Sequence, residues 1–510
     1  MEQGTPTVAG IDYVVIIVYF FLILGFGTIF GIRTKTTKDF FLAGQRFPWW
    51  LIAMSCVATT VGSYSFIKYS RVAFLYGFAS TQTYLNDWFI MPIFMFGWLP
   101  IIYFSGVTSI PEYFSRRFDN KTRVVATFAL LVYLVGYIGI NFYTLGIAMH
   151  SLAPGLGVFS WAALIGVICA IYVTAGGQIS VIMTDLVQGF LLLFAGLVLF
   201  GLGLHFVGGF SSFWSAIEPP MRRAFSDFNR PANFSFVGIF WQDGMANTTM
   251  LYLINQGMML RFLSARSPGD ARKAMAVVVL VLMPVAAIVV SAAGWLGRAM
   301  VNLEMLSGEG DPNAIFVSVT SLLCGPGLFG FVIAALTAAL MSTADTLINA
   351  VSAIAVTDIW KPYVAPGATD KHYLTVGRVA AIVASLAAIL LVPVYAEFGS
   401  VYKAHATFTA AITPPLVVAA VLGAFWRRYT PTAAFWTILG GMIAMAVSLR
   451  VPLLIAPFSH GVGSEGFGFM RALYGLAVSG AIAVGVSLFT KPRPKEEIAG
   501  LICSRATPRG

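Results

Sequence analysis

The sequence predicts an all-α polytopic membrane protein with about 13 transmembrane helices. Three observations carry that prediction. Of 510 residues, 58% are apolar and only 10% are charged, with a mean hydropathy of +0.84, whereas soluble domains carry about 25% charge. Apolar stretches recur along the whole chain, each long enough to cross ~30 Å of hydrocarbon at 1.5 Å per residue. Finally, 14% aromatic residues and 50 glycines suit closely packed membrane helices with interfacial anchors.

Taken in order, the spans are expected near 11–31, 47–70, 77–105, 122–148, 157–175, 180–206, 234–262, 273–301, 328–357, 373–395, 401–425, 431–451 and 468–489. The stretch before the first, MEQGTPTVAG, lacks a basic region and a cleavage site, so that span reads as retained rather than as a signal peptide. Of the 31 Lys and Arg, 22 fall on the side holding loops 32–46, 106–121, 262–272, 358–372 and 426–430 and the C-terminal tail, counting adjoining helix ends. Positive charge marks the cytoplasmic side. The N-terminus is therefore expected outside and the C-terminus inside, which needs an odd number of spans. The net charge of +10 is thus read as orientation, not as a nucleic-acid surface. The expected partners are the lipid bilayer of the cell membrane and a small-molecule solute.

Residues 1–490 read as one transporter domain. Residues 491–510 read as a cytoplasmic tail too short to fold, and the polar, Pro-rich loop near 207–233 reads as a surface cap. Cys56, Cys169, Cys324 and Cys503 show neither metal nor disulfide spacing. The five histidines (His150, His205, His372, His405 and His460) are scattered, and no catalytic constellation emerges, so the chain is not expected to be an enzyme or to carry an organic cofactor.

Two spans carry polar interruptions. The second holds Ala58-Thr59-Thr60-Val61-Gly62-Ser63, where small, hydroxyl and glycine residues favour unwinding. The seventh holds Asp243-Gly244 through Asn247-Thr248-Thr249. Five spans separate them, which suggests two halves, spans 2–6 and 7–11 (roughly 47–206 and 234–425), with discontinuous helices at the binding site. Spans 11–31, 431–451 and 468–489 are extra. An unwound backbone in lipid must satisfy its carbonyls, and a sodium ion takes carbonyl and hydroxyl oxygens as hard ligands.

The ninth span raises the same point. It reads LTAALMSTADTLINAVSAIAVTDIWKPY over 336–363, and an aspartate at membrane depth marks function by default. Residues three and four apart share a helix face, so Ala339, Ser342, Thr343 and Thr346 form one oxygen patch with Asp345 beside it. Asp185, in the first turns of the sixth span, reads either as a helix-dipole partner or as a second cation or proton site shared with Asp345.

These residues bring a family into view. DFFLAGQRFPWW (39–50), IPEYFSRRF (110–118), AGGQISVIMTDLVQG (175–189), MSTADTLINAVSAIAVTDIWKP (341–362) and LGAFWRRYTPTAAFWTILGG (422–441) resemble, in order, five motifs of the sodium:solute symporter family. The resemblance implies the leucine-transporter-like fold, an inverted repeat of five plus five helices. It implies a sodium site made by the carbonyls of Ala58, Val61 and Ala339 and the hydroxyls of Ser342 and Thr343. A second site, present in some members, maps to Asp185, Ser342, Asp345 and Thr346. Thr60 stands where some relatives have a carboxylate.

The solute pocket is expected beside the first site, at Thr60, Ser63, Tyr64, Ser65, Thr248, Tyr252 and Asn255, with Tyr84, Asn86 and Asp87 as weaker candidates. Lys68, Arg71, Lys403 and His405 could steer an anion or snorkel to the interface. The expected function is sodium-coupled symport of a small polar organic solute, with Na+ as coupling ion. The alternatives are proton coupling through Asp345 or Asp185 on the same fold, and a transporter-like sensor, against which stands the lack of a signalling domain after residue 490.

Overall fold

The computed structural model describes residues 9–31, 34, 36–152, 155–308, 310–397 and 401–503. Among the described residues, ten helices are long and apolar enough to cross a bilayer. The only β structure there is an isolated bridge between Phe47 and Ala265. The chain begins with α1 (Gly10–Gly31), followed by α2 (Trp49–Thr60) and α3 (Ser63–Tyr76). After short helical pieces over 82–105 come α4 (Asn120–Leu152) and α5 (Val158–Phe206). A π-helical run over 240–254 leads into α6 (Gln256–Leu263), α7 (Pro268–Asn302), α8 (Leu328–Ile354) and α9 (Asp370–Ala396). The last helices are α10 (Val401–Phe425), α11 (Pro431–Arg450) and α12 (Phe467–Phe489).

Burial sorts these helices. In α8 every residue from Val332 to Ile354 is buried, so its hydroxyls and carboxylate face protein on all sides. In α1, by contrast, Val14, Phe21 and Leu22 are exposed, as suits a helix whose outer face meets lipid. Where α1 meets α5, a β-carbon on Gly31 would lie 2.8 Å from the Gly176 Cα. The two backbones touch there because both positions are glycine. The next residue, Gly177, has φ 54° and ψ −137°, and a β-carbon there would lie 2.4 Å from the Phe40 carbonyl oxygen. That one glycine breaks α5 where the sequence had two spans, 157–175 and 180–206.

Helix starts are fixed by side-chain caps. The Ser109 hydroxyl accepts from Glu112 N at 3.0 Å, ahead of Pro111. Ser267, Thr369 and Thr430 cap α7, α9 and α11 in the same way. At the far end of α10, the buried Arg117 donates to the carbonyls of Gly423 at 2.9 Å and Trp426 at 3.2 Å. It serves the orphan carbonyls of a helix C-terminus rather than a membrane surface.

Two regions outside the spans make specific contacts. In residues 491–503, Cys503 N donates to the Ala424 carbonyl at 2.8 Å, and the Leu501 carbonyl accepts from the Tyr113 hydroxyl at 3.0 Å. Backbone groups left by the end of α10 hold the segment in place without any core of its own. The region 207–233 includes a short helix, Phe210–Ala216, with Phe213 buried, and Glu218 pairs with Arg298 of α7 at 2.5 Å.

Candidate functional site

The break between α2 and α3 lies where the sequence predicts it. Val61 N–H still reaches the Val57 carbonyl at 2.9 Å, but Val61 has φ −92°, ψ 66° and Gly62 has φ −68°, ψ 166°. The ladder resumes with Ser65 N–H on the Gly62 carbonyl at 2.7 Å. The last carbonyls of α2 are thereby stripped of helical partners. One of them is met by α8: Thr343 Oγ1 donates to the Thr59 carbonyl at 2.8 Å and lies 3.3 Å from the Ala339 carbonyl. This approach requires glycine at 62, because a β-carbon there would lie 2.8 Å from Thr343 Oγ1. Ala58, Val61, Ala339 and Ser342 are all wholly buried around the junction.

Ser342 is oriented from behind, since its hydroxyl donates to Asp185 Oδ1. A hydroxyl that donates to a carboxylate keeps both lone pairs for a cation and becomes a better ligand. Asp185 is itself held by Ser55 Oγ at 2.5 Å and by Arg261 at 2.6 Å. The Arg261 guanidinium also reaches Ser55 Oγ at 2.7 Å, the Gly257 carbonyl at 3.2 Å and the Thr346 hydroxyl. Both members of the ion pair are fully enclosed, at 0% exposure. One network therefore ties α2, α5, α6 and α8 together.

Arg261 is the residue that sequence reasoning misplaced. There it is one of the 22 basic residues counted toward the cytoplasmic side with the helix ends, but the chain is redirected just before it. The expected interruption at 243–249 is instead unbroken helix, π-helical over Phe240–Thr248 and Met250–Ile254, and the break falls at Asn255, with φ −64° and ψ 113°. The wider π turns accommodate the polar residues without unwinding, and such turns recur at functional sites. The Asn255 side chain accepts from Gly257 N at 2.9 Å and Met258 N at 3.2 Å, capping α6. It is a helix cap and not a wall of the cavity.

The proposed second cation set divides. Asp185, Ser342 and Thr346 meet around Arg261, so the cation facing Asp185 is a guanidinium. Asp345 accepts from the Tyr172 hydroxyl at 2.6 Å through Oδ2, while its buried Oδ1 has no partner.

A polar cavity of about 110 Å³ lies against the helix break, since Thr60 forms part of its wall. Ser65, Thr248 and Asp87 line it, together with Lys68, Asp243 and Asn247. Tyr252 stands behind this wall: it donates to Asp87 Oδ2 at 2.8 Å, while Thr248 donates to Oδ1 at 3.0 Å. The side chains of Ser63, Tyr64 and Lys403 lie outside the described residues. Asp243 and Asn247 were visible as the polar middle of the seventh span. They sit one helical turn apart, the spacing that puts two side chains on one face.

Comparison with known proteins places the whole chain. The family model described as the sodium:solute symporter family matches residues 40–441. A sodium/glucose cotransporter of Vibrio parahaemolyticus is 27% identical over 474 residues, covering 88% of this chain and 86% of that protein. The human sodium/myo-inositol cotransporter 2 is 26% identical over 535 residues, covering 96% and 78%. These relatives are cotransporters, not enzymes. Among solved structures, a Na+-coupled sialic acid symporter in a substrate-bound outward-open state aligns with TM-score 0.80 at 21% identity, covering 96% of this chain and 99% of that one. A closed conformation of MHP1, a nucleobase-cation-symport-1 family transporter, aligns with TM-score 0.59 at 12% identity, covering 92% and 98%. With the motif order, the helix break and the match over residues 40–441 all in agreement, this multi-pass membrane protein belongs to the sodium:solute symporter family.

Proposed function

We propose that the chain imports a small polar organic solute, driven by sodium, through alternating access. The observation that carries the reading is the junction at Val61–Gly62, where the α8 hydroxyl of Thr343 meets a stripped α2 carbonyl. Sodium takes the carbonyls of Ala58, Val61 and Ala339 and the hydroxyls of Ser342 and Thr343. Asp185 acts from behind through Ser342, with its charge shared by Arg261, so one sodium rather than two is carried in this region. The ion pins α2 against α8, and Thr60 passes that ordering to the cavity. Ion and solute thereby help each other bind, by equal factors. The site bridges two elements that must separate, which gives sodium a different affinity in each state, as driving a transition requires. Each charge entering down 100 mV releases roughly 2.3 kcal/mol. The repeats over 47–206 and 234–425 rock against each other in a chain of thirteen crossings, N-terminus outside and C-terminus inside.

The test uses the purified chain without solute. NaCl should raise the melting temperature saturably above KCl at equal ionic strength; equal curves in both salts would contradict sodium binding. A second reading, proton coupling, has one observation in its favour, the partnerless Oδ1 of Asp345. Uptake that persists without sodium and collapses with the pH gradient would select it.

A further inference from the structure

The segment that follows α12 joins parts of the chain that lie in different repeats. Its root is held to the turn between α10 and α11, where the Thr430 and Thr490 hydroxyls are 2.6 Å apart. From there Arg493 donates to two carbonyls of the repeat over 47–206, Arg116 at 2.9 Å and Phe118 at 2.8 Å. The Leu501 carbonyl accepts from Tyr113 of the same repeat at 3.0 Å. Cys503 N then returns to the Ala424 carbonyl of α10, in the repeat over 234–425, at 2.8 Å. The Cys503 sulfur lies 4.0 Å from the Phe96 carbonyl oxygen. Residues 491–503 thus grip both repeats at one end of the bundle. The grip is shallow. Within that segment only Ile498 and Leu501 bury their side chains, and Pro492 and Pro494 keep it from continuing α12 as helix. A cavity of about 460 Å³ lies beneath it, between Phe104, Ser105 and Arg116 on one side and Glu497, Ala499 and Leu501 on the other. The segment bridges this space without filling it. Few buried contacts and bonds made near the surface mark an element that opens locally at little cost.

We propose that residues 491–503 are a strap across the cytoplasmic ends of the two repeats, which favours the sodium-competent arrangement and lets go when the site opens inward. The inference rests on the proposed rocking of 47–206 against 234–425 and on sodium at the α2–α3 break. The engaged strap and the formed junction at Val61–Gly62 belong to one arrangement of the chain. By linkage, loosening the strap then weakens sodium binding at the junction, although the two do not touch. A segment that merely packed on the surface would change stability and leave sodium affinity alone.

The experiment uses the purified full chain with Arg493→Ala and Tyr113→Phe made together, which releases the strap from the repeat over 47–206. The sodium midpoint, read from the melting temperature in NaCl against KCl, should weaken by about threefold or more, part of the roughly tenfold that one charge-assisted bond is worth. Adding Phe96→Cys offers a covalent rescue. Cys503 is exposed, whereas Cys56, Cys169 and Cys324 are buried, so oxidation acts on positions 96 and 503. Once mass spectrometry shows that disulfide, the midpoint should be back at the unsubstituted value, and reduction should weaken it again. An unchanged midpoint in the folded double variant, or no recovery in the oxidised protein, would overturn the strap. If the unsubstituted chain shows no sodium response, the sodium reading fails, and hydrogen exchange in KCl decides on the strap. Release should then speed exchange at residues 57–65 and the disulfide should slow it; faster exchange confined to 491–503 would overturn the proposal. Should the double variant not fold, Tyr113→Phe alone takes its place, with the same outcomes.

Discussion

Removing one partner of the Asp185–Arg261 pair should reveal how much this core depends on it. Both side chains are at 0% exposure and their charged atoms are 2.6 Å apart, so neither can recruit water when the other is lost. Breaking such a pair costs about 3–5 kcal/mol, because it strands an uncompensated buried charge. Arg261→Ala leaves Asp185 with only the hydroxyls of Ser55 and Ser342, which places it toward the upper end of that range. Asp185→Ala leaves the guanidinium with Ser55, Thr346 and the Gly257 carbonyl, which places it toward the lower end. The double substitution removes both charges and should fall short of the sum by at least about 2 kcal/mol. Denaturant titration of the four proteins in detergent, read as a double-mutant cycle, measures the coupling. Single losses under about 1 kcal/mol, or strictly additive losses, would show that the pair is not the buried tie between α2, α5, α6 and α8.

Two further expectations follow from close contacts. Gly62→Ala puts a β-carbon 2.8 Å from Thr343 Oγ1. It should push α8 off the break and weaken sodium binding at least about fivefold, since overpacking costs about 1–3 kcal/mol; a sodium titration checks it. Asn255→Ala removes the α6 cap and should cost about 1 kcal/mol of stability, while solute affinity stays within about twofold of the unsubstituted protein. A large loss of affinity in a folded Asn255→Ala protein would return Asn255 to the solute site.

The fold was legible because bilayer thickness imposes a length on every span and leaves a direct trace in composition. The α2–α3 break was legible too: Val61-Gly62 combines a residue poor at holding a helix with one that lets α8 come near. The seventh span misled because polar residues at 243–249 resemble an unwound segment, yet π turns absorb them and the chain breaks at Asn255. Arg261 was unreadable for a related reason. Its distance from the hydrophobic midpoint suggests an interface, and only the tertiary turn at Asn255 brings it to Asp185. Tyr252 looked like a pocket residue from its position on the span, but which carboxylate its hydroxyl meets depends on residues 87 and 252 packing together across 165 positions. Lys68, read from the sequence as steering an anion or snorkelling, lies in the cavity wall.

The most direct test of the account is the sodium affinity of Ser342→Ala, Thr343→Ala and the double variant, measured by NaCl titration of the folded proteins against KCl. Each lost oxygen contributes about 1.5–3 kcal/mol if it faces a cation. The account therefore predicts about a tenfold or greater weakening for each single variant and near loss of the sodium response in the double variant. An unchanged sodium midpoint in a folded double variant would contradict a cation held between α8 and the α2–α3 break.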